Sequence, residues 1–151
     1  MRIDLPEPYN KMKRAPQVIL PKDIGIIIAY SGVNRESVCV DAGTGSGWLA
    51  VGLARIAKKV ISYELREDFI KIAEKNKAME NLQNLEIRHG DITKDLKEKN
   101  VDIITLVFFG YLYEVLPQLI AYHFLGYSCK PDGKPSASCA CIHAYAFPVH
   151  S

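Results

Sequence analysis

The sequence predicts an α/β fold, a mainly parallel sheet with helices on both faces, and three observations carry that expectation. An apolar, β-branched run over residues 38–41 ends in Asp41. Glycines follow at alternate positions, Gly43, Gly45 and Gly47, and an apolar helical pattern opens at Trp48. Strand-like and helix-like stretches then alternate, the order that builds parallel sheets from βαβ units. Finally, residues 101–107 form an apolar run of the kind found in strands buried on both faces.

Taken in order, residues 1–20 are spaced by Pro6, Pro8 and Pro16 and carry Lys11, Lys13 and Arg14. They read as an irregular lead-in, separate from a single domain over residues 21–151. Such a lead-in is either a solvated tail or an arm that covers a ligand or contacts phosphate. Residues 21–32 read as a short helix, with Pro21 suited to its first turn and Gly32 to its C-terminal cap. The β-branched run inside it is also compatible with a strand. A second strand is expected over residues 59–64 and closes on Glu64. Residues 66–79 place Phe69, Ile72, Ala73 and Asn76 at helical spacing, with Lys and Glu on the other faces. A turn over 81–84 leads to a third strand, 85–89, followed by Gly90 and Asp91. Residues 93–99 read as a short polar helix or a loop.

Beyond residue 107 the pattern weakens. Residues 113–124 are compatible with a helix only if Pro117 sits in its first turn. Residues 130–134 read as a turn, and one further strand is expected around residues 139–145.

Composition bounds the function. The 151 residues suit one domain with a real core, and 48% hydrophobic with 24% charged residues is a globular balance. A net charge of +2 does not by itself indicate nucleic acid. No apolar run reaches the about 18 residues of a membrane span, and the first residues lack the apolar segment of a secretory signal. A cytoplasmic protein without a membrane partner is expected. Cys39 falls in the first strand and suits packing. Cys129, Cys139, Cys141 and His143 match zinc-ligand spacings poorly, so no metal is expected.

The chemistry concentrates at the glycine loop. Strand, tight turn and helix N-terminus let backbone lie against a ligand, because glycine has no Cβ. A dinucleotide site wants G-x-G-x-x-G, which would place the third glycine at residue 48, but that residue is Trp48. The spacing here is G-x-G-x-G. Glu64 follows at about the distance of a ribose-binding carboxylate, ~20 residues past the glycines. Asp41, Glu64 and Asp91 each close a successive strand, as one ligand lying across the strand ends would require. A ligand-free glycine turn with helix-capping acids is the plainer alternative.

This loop resembles the first motif of the S-adenosylmethionine (SAM) dependent methyltransferases, whose fold is a Rossmann-like α/β sheet. Arg14, Ala15, Pro16, Gln17, Val18, Ile19, Leu20, Pro21, Lys22 and Asp23 narrow the resemblance. Taken with residues 41–47, 62–69 and 90–92, they are similar to the archaeal tRNA adenine-N1 methyltransferases that modify the T-loop. The resemblance covers residues 13–106. It implies SAM as cofactor, tRNA as substrate and a homo-oligomer, a tetramer. It also implies a cofactor site formed by Gln17, Asp41, Gly43, Thr44, Gly45, Ser46, Gly47, Glu64 and Asp91. In that family the loop packs against the amino-acid end of SAM, and an acid at the place of Asp91 commonly contacts the adenine amino group.

The departures matter as much. The family carries a small β-rich domain before the Pro16-Gln17-Val18 segment. It also has, after the fourth strand, an Asp-x-Pro-x-Pro-Trp motif whose aspartate orients the target adenine. Val107 stands where that aspartate falls, residues 108–112 do not match, and nothing matches after Pro135. No catalytic residue is assigned, and the chain is expected to be truncated or altered after Leu106, for which a changed reading frame is one explanation. Three functions stay open at this point: a tRNA adenine-N1 methyltransferase, a small-molecule SAM methyltransferase of the corrin-precursor type, and a non-catalytic SAM-binding or partner module.

Overall fold

The computed structural model describes residues 5–16, 18–108 and 141–146, with Phe108 and residues 141–146 described by their backbone alone. Gln17 and the expected helix and turn between residues 113 and 134 lie outside the described residues. The elements run α1 (Pro21–Ser31), β1 (Val38–Ala42), α2 (Trp48–Ala54), β2 (Lys59–Glu64), α3 (Glu67–Met79), β3 (Leu85–His89), α4 (Ile92–Asp95), β4 (Ile103–Phe108) and β5 (Cys141–Ala146). The strands form one parallel sheet in the order β3-β2-β1-β4-β5. The direction in which successive strands are added reverses between β1 and β4, which is where parallel α/β sheets open a crevice at the carboxyl ends of their strands.

Two apolar clusters cover the sheet. On one side Ile24, Ile27, Trp48, Leu49, Val51, Leu53, Cys39, Val60, Ile103 and Val107 pack together. On the other, Val40, Ile61, Tyr63, Ile104 and Leu106 pack with Ile92 and Leu96. Alternate residues of one strand thus enter opposite cores, as the two-residue period of a strand requires.

Local chemistry explains most boundaries. Residues 21–31 form a helix, which settles the helix–strand alternative. Pro21 opens it, Gly32 closes it at φ 66°, and Ile24, Ile27 and Ser31 form its buried stripe. Every residue of α2 is buried, as its unbroken apolar sequence requires. Gly52 is what lets that helix be covered: a Cβ there would meet the Tyr9 hydroxyl at 2.6 Å and Ile24 Cγ2 at 2.8 Å. In α3 the expected stripe holds, with Ala73 and Asn76 fully buried. The helical alternative for residues 93–99 is realised only over α4, which Asp91 caps.

The lead-in is not a solvated tail over its described part. Tyr9, Met12, Ala15 and Ile19 are buried, and Tyr9, Met12 and Ile19 join the same cluster as α1 and α2. Tyr9 lies 5.3 Å from Trp48, ring centre to ring centre. The Trp48 indole N–H donates to the Lys13 carbonyl at 2.9 Å, and Arg55 donates to the Glu7 carbonyl at 3.2 Å. Proline-rich sequence carries no periodicity, so this burial left no pattern to read.

Candidate cofactor site

The loop between β1 and α2 runs with Gly43, Gly45 and Gly47 at φ 88°, 55° and 82°, a region L side chains rarely enter. At Gly43 the constraint is doubled, because a Cβ would sit 2.3 Å from the Val107 carbonyl oxygen. The amides of Gly43 and Thr44 both donate to the Tyr63 carbonyl, at 2.9 and 3.2 Å, which anchors the loop to the end of β2. The result is a small, partly open cleft, whose space together with the open solvent at its mouth is about 300 Å³. It is lined by Val18 and Ile19 of the lead-in, the loop from Gly43 to Ser46, Trp48, Leu49 and Val107.

Asp41 is turned inward, not onto the cleft. It is 1% exposed, and register explains its partners: Asp41 stands opposite Ser62 on β2 and Thr105 on β4. The Ser62 hydroxyl donates to Oδ2 at 2.6 Å and the Thr105 hydroxyl donates to Oδ1 at 2.7 Å. The proton of Ser62 is thereby committed, so the Thr44 hydroxyl, 2.5 Å away, donates to Ser62. Burial raises the Asp41 pKa, and the two hydroxyls oppose that shift. Asp41 thus fixes Thr44 through Ser62 across two strands, a positioning contact made from beneath the loop.

Glu64 grips the loop directly. Its Oε2 accepts from the Gly45 amide at 2.8 Å, while Oε1 accepts from the amides of Leu65 and Arg66 at 2.9 and 3.1 Å. Each carboxylate oxygen has about two lone-pair directions, so Oε2 retains acceptor capacity beside the loop. Asp91 is occupied differently. It caps α4, with Oδ1 accepting from the Thr93 amide at 2.9 Å and the Thr93 hydroxyl at 2.7 Å. The Thr93 contact holds its carboxyl below the ordinary aspartate range.

Of the sequence-expected residues, the structure therefore brings Gly43, Thr44, Gly45 and Ser46 to the cleft and joins Glu64 to it through Gly45. Gly47 begins α2 as its cap, in contact range of Ala73 on α3. Asp41 lies below, and Asp91 is at the cap of α4. Val18 belongs to the Pro16-Gln17-Val18 segment that the resemblance sets beside the cofactor, whereas the walls made by Ile19, Trp48 and Leu49 were not foreseen, since apolar residues carry no chemical signature. One observation bears on occupancy: Ser46 Oγ, in a residue 2% exposed, has no hydrogen-bond partner among the described residues. A buried, unpaired hydroxyl in a glycine cradle fits a polar ligand group. Among the described residues no cluster of metal-ligating side chains occurs, and no helix is long and apolar enough to cross a membrane. Cys141 and His143 fall two residues apart on β5, while Cys129 and Cys139 lie outside the described residues.

A parallel sheet whose strand order reverses between β1 and β4, with a G-x-G-x-G cradle at that point and an acid closing β2, defines the methyltransferase class. The methyltransferase-domain family model matches residues 34–123, and the chain belongs to that family. Its cofactor is S-adenosylmethionine. Among curated relatives, the chain is 34% identical over 126 residues to a tRNA (adenine(57)-N(1)/adenine(58)-N(1))-methyltransferase of Methanocaldococcus jannaschii, covering 64% of this chain and 45% of that protein. It is 31% identical over 81 residues to a ribosomal protein L11 methyltransferase of Lactobacillus johnsonii, covering 53% of this chain and 26% of that one. Among solved structures, a SAM-dependent O-methyltransferase of Thermotoga maritima superposes with TM-score 0.66 at 33% identity, covering 72% and 42%. The tRNA (m1A58) methyltransferase of Aquifex aeolicus superposes with TM-score 0.62 at 29% identity, covering 69% and 44%. The chain spans under half the length of these relatives.

Proposed function

We propose that this chain is the cofactor-binding part of a tRNA methyltransferase acting at adenine N1. The observation that carries this is the 34% identity to the archaeal tRNA enzyme. It is supported by the way the described lead-in meets the cleft, with Val18 and Ile19 walling it beside the glycine loop. SAM supplies a methyl group on a sulfonium, so transfer to a ring nitrogen is an in-line displacement that needs position more than acid–base help. The loop from Gly43 to Gly47 cradles the amino-acid end, with the Ser46 hydroxyl available to it. Glu64 accepts from the ribose hydroxyls with its remaining lone pairs, and Asp91 stands at the adenine end. Gln17 completes the site as the family resemblance implies. Asp41 contributes by holding Thr44.

The proton of the adenine amino group is the weak point. Val107, at the cleft, offers no side-chain acceptor where the family has an aspartate, and loss of a general base typically slows a reaction ~10²–10⁴-fold. Slow transfer by this chain alone follows. The test is incubation with labelled SAM and unmodified tRNA, digestion to nucleosides, and comparison of the wild type with Val107→Asp. Trace 1-methyladenosine that rises in the variant supports the proposal. Abundant 1-methyladenosine from the wild type would show that another group takes the proton. Salt-insensitive, weak tRNA binding with no product from either chain would refute the tRNA assignment.

A further inference from the structure

We propose that Asn76 is a positioning residue for cofactor binding, pinning the lead-in and the glycine loop to α3 at once. Asn76 is 0% exposed, and as the one polar member of the buried stripe of α3 it needs a reason to be there. Both of its amide donors are used at 2.8 Å, one by the Lys13 carbonyl and one by the Ser46 carbonyl. Its Oδ1 accepts the Lys13 amide N–H, also at 2.8 Å. The side-chain amide thus pairs with the Lys13 backbone as a neighbouring strand would, while its second N–H holds the residue whose hydroxyl is unpaired in the cradle.

The surroundings make this a junction. Trp48 donates to the same Lys13 carbonyl from the start of α2. Ala73, one turn before Asn76, fills the space that the missing Cβ of Gly47 leaves, 3.0 Å from where that atom would be. Five residues beyond Lys13 the lead-in supplies Val18 and Ile19 to the cleft wall. Asn76 is not itself a lining residue of the cleft, yet two of the cleft's walls are tied to it, one through Ser46 and one through Lys13. A ligand that needs both walls in place therefore binds more weakly when the tie is cut, even though no ligand contact is removed.

The experiment is calorimetric titration of the whole chain with S-adenosylhomocysteine, comparing wild type, Asn76→Leu and Asn84→Ala. Asn84 is a matched control. Its amide also spans two carbonyls, of Ala54 and Ala57 at 2.7 and 2.9 Å, at the far end of α2. Asn76→Leu should weaken binding by roughly fivefold to tenfold, the factor set by one net hydrogen bond of ordinary worth. Asn84→Ala should lower thermal stability but leave affinity unchanged. Equal affinity of Asn76→Leu and wild type, or an equal loss in Asn84→Ala, would overturn the proposal. Should Asn76→Leu not fold, hydrogen exchange of the wild type decides. Saturating S-adenosylhomocysteine should slow exchange of the Lys13 amide, which donates to Asn76, relative to the Asn34 amide, which donates to Ser37 Oγ far from the cleft. Unchanged Lys13 protection would overturn it equally.

Discussion

The turns that follow β1 and β3 invite comparison, because both end a parallel strand, contain glycine and neighbour an acid. After β3, the Gly90 amide donates to the Glu64 carbonyl at 3.0 Å, while Asp91 is satisfied within its own turn. Asp91 accepts from Thr93, and its own amide donates to Asp95 Oδ2 at 2.7 Å. A Cβ on Gly90 would meet that same Asp95 oxygen at 2.9 Å. After β1 the Gly47 amide bonds back to Thr44 O at 2.8 Å, but three further amides are held by β2: Tyr63 O takes two and Glu64 a third, and Ser46 Oγ has no partner among the described residues. The acid after β3 is taken up by its own helix cap, whereas the loop after β1 is held mainly by β2 and leaves a polar atom without a partner among the described residues, as the proposed cradle requires.

The comparison breaks most easily at Gly43. Gly43→Ala adds a Cβ against the Val107 carbonyl at a φ of 88°. Stability should fall by about 2–4 kcal/mol, and S-adenosylhomocysteine binding should be lost in calorimetry. A folded variant with wild-type affinity would mean that the loop adjusts and is not the cradle. Glu64→Ala comes next. It removes a carboxylate that orders three amides and that the proposal assigns to the ribose, so affinity should fall roughly tenfold to a hundredfold, as one charge-assisted bond of about 1.5–3 kcal/mol implies.

The region around the β3 turn is sharpened by pH. Tyr63 donates its phenol to Glu98 at 2.7 Å, and Arg88 bridges Tyr63, Glu86 and Glu98. Burial first, and the Glu98 hydrogen bond second, push the Tyr63 pKa up to about 12. The folded chain thus favours the protonated phenol over an unfolded tyrosine that titrates at about 10. Its contribution to stability is complete below pH about 10 and is lost as pH rises toward about 12. Denaturant midpoints across that range should fall less in Tyr63→Phe than in wild type; parallel curves would remove the network from the picture.

Asp91→Ala and Asp91→Ser separate capping from ligand contact. The alanine variant should lose about 1 kcal/mol of stability. The serine variant keeps a cap, so a loss of affinity in it is expected only if the carboxylate meets the cofactor as proposed, and unchanged affinity would leave Asp91 a cap alone. Smallest of all is Glu67→Ala. Glu67 is an exposed first-turn acid of α3, and its loss should change affinity and stability by no more than about 0.5 kcal/mol.

The legible parts of the molecule were those with local signals. Three alternate glycines between a β-branched run and Trp48 announced the loop, and Pro21 with Gly32 bounded α1. What stayed hidden depends on contacts distant in sequence. Asp41 reads as one more acid at a strand end; only the register that sets it beside Ser62 and Thr105 turns it inward. Lys13 meets Asn76 across 63 positions, through backbone atoms that no side-chain pattern records. One signal was present all the same: a polar Asn76 on an otherwise apolar stripe.

Titration of the whole chain with S-adenosylhomocysteine by calorimetry tests the cleft most directly, with Glu64→Ala and Glu67→Ala run beside it. Saturable heat at one site per chain is expected, weakened roughly tenfold to a hundredfold by Glu64→Ala and unchanged by Glu67→Ala. Absence of binding to the wild type at millimolar ligand, or an affinity indifferent to Glu64, would contradict the assignment of the β1–α2 loop as the cofactor cradle.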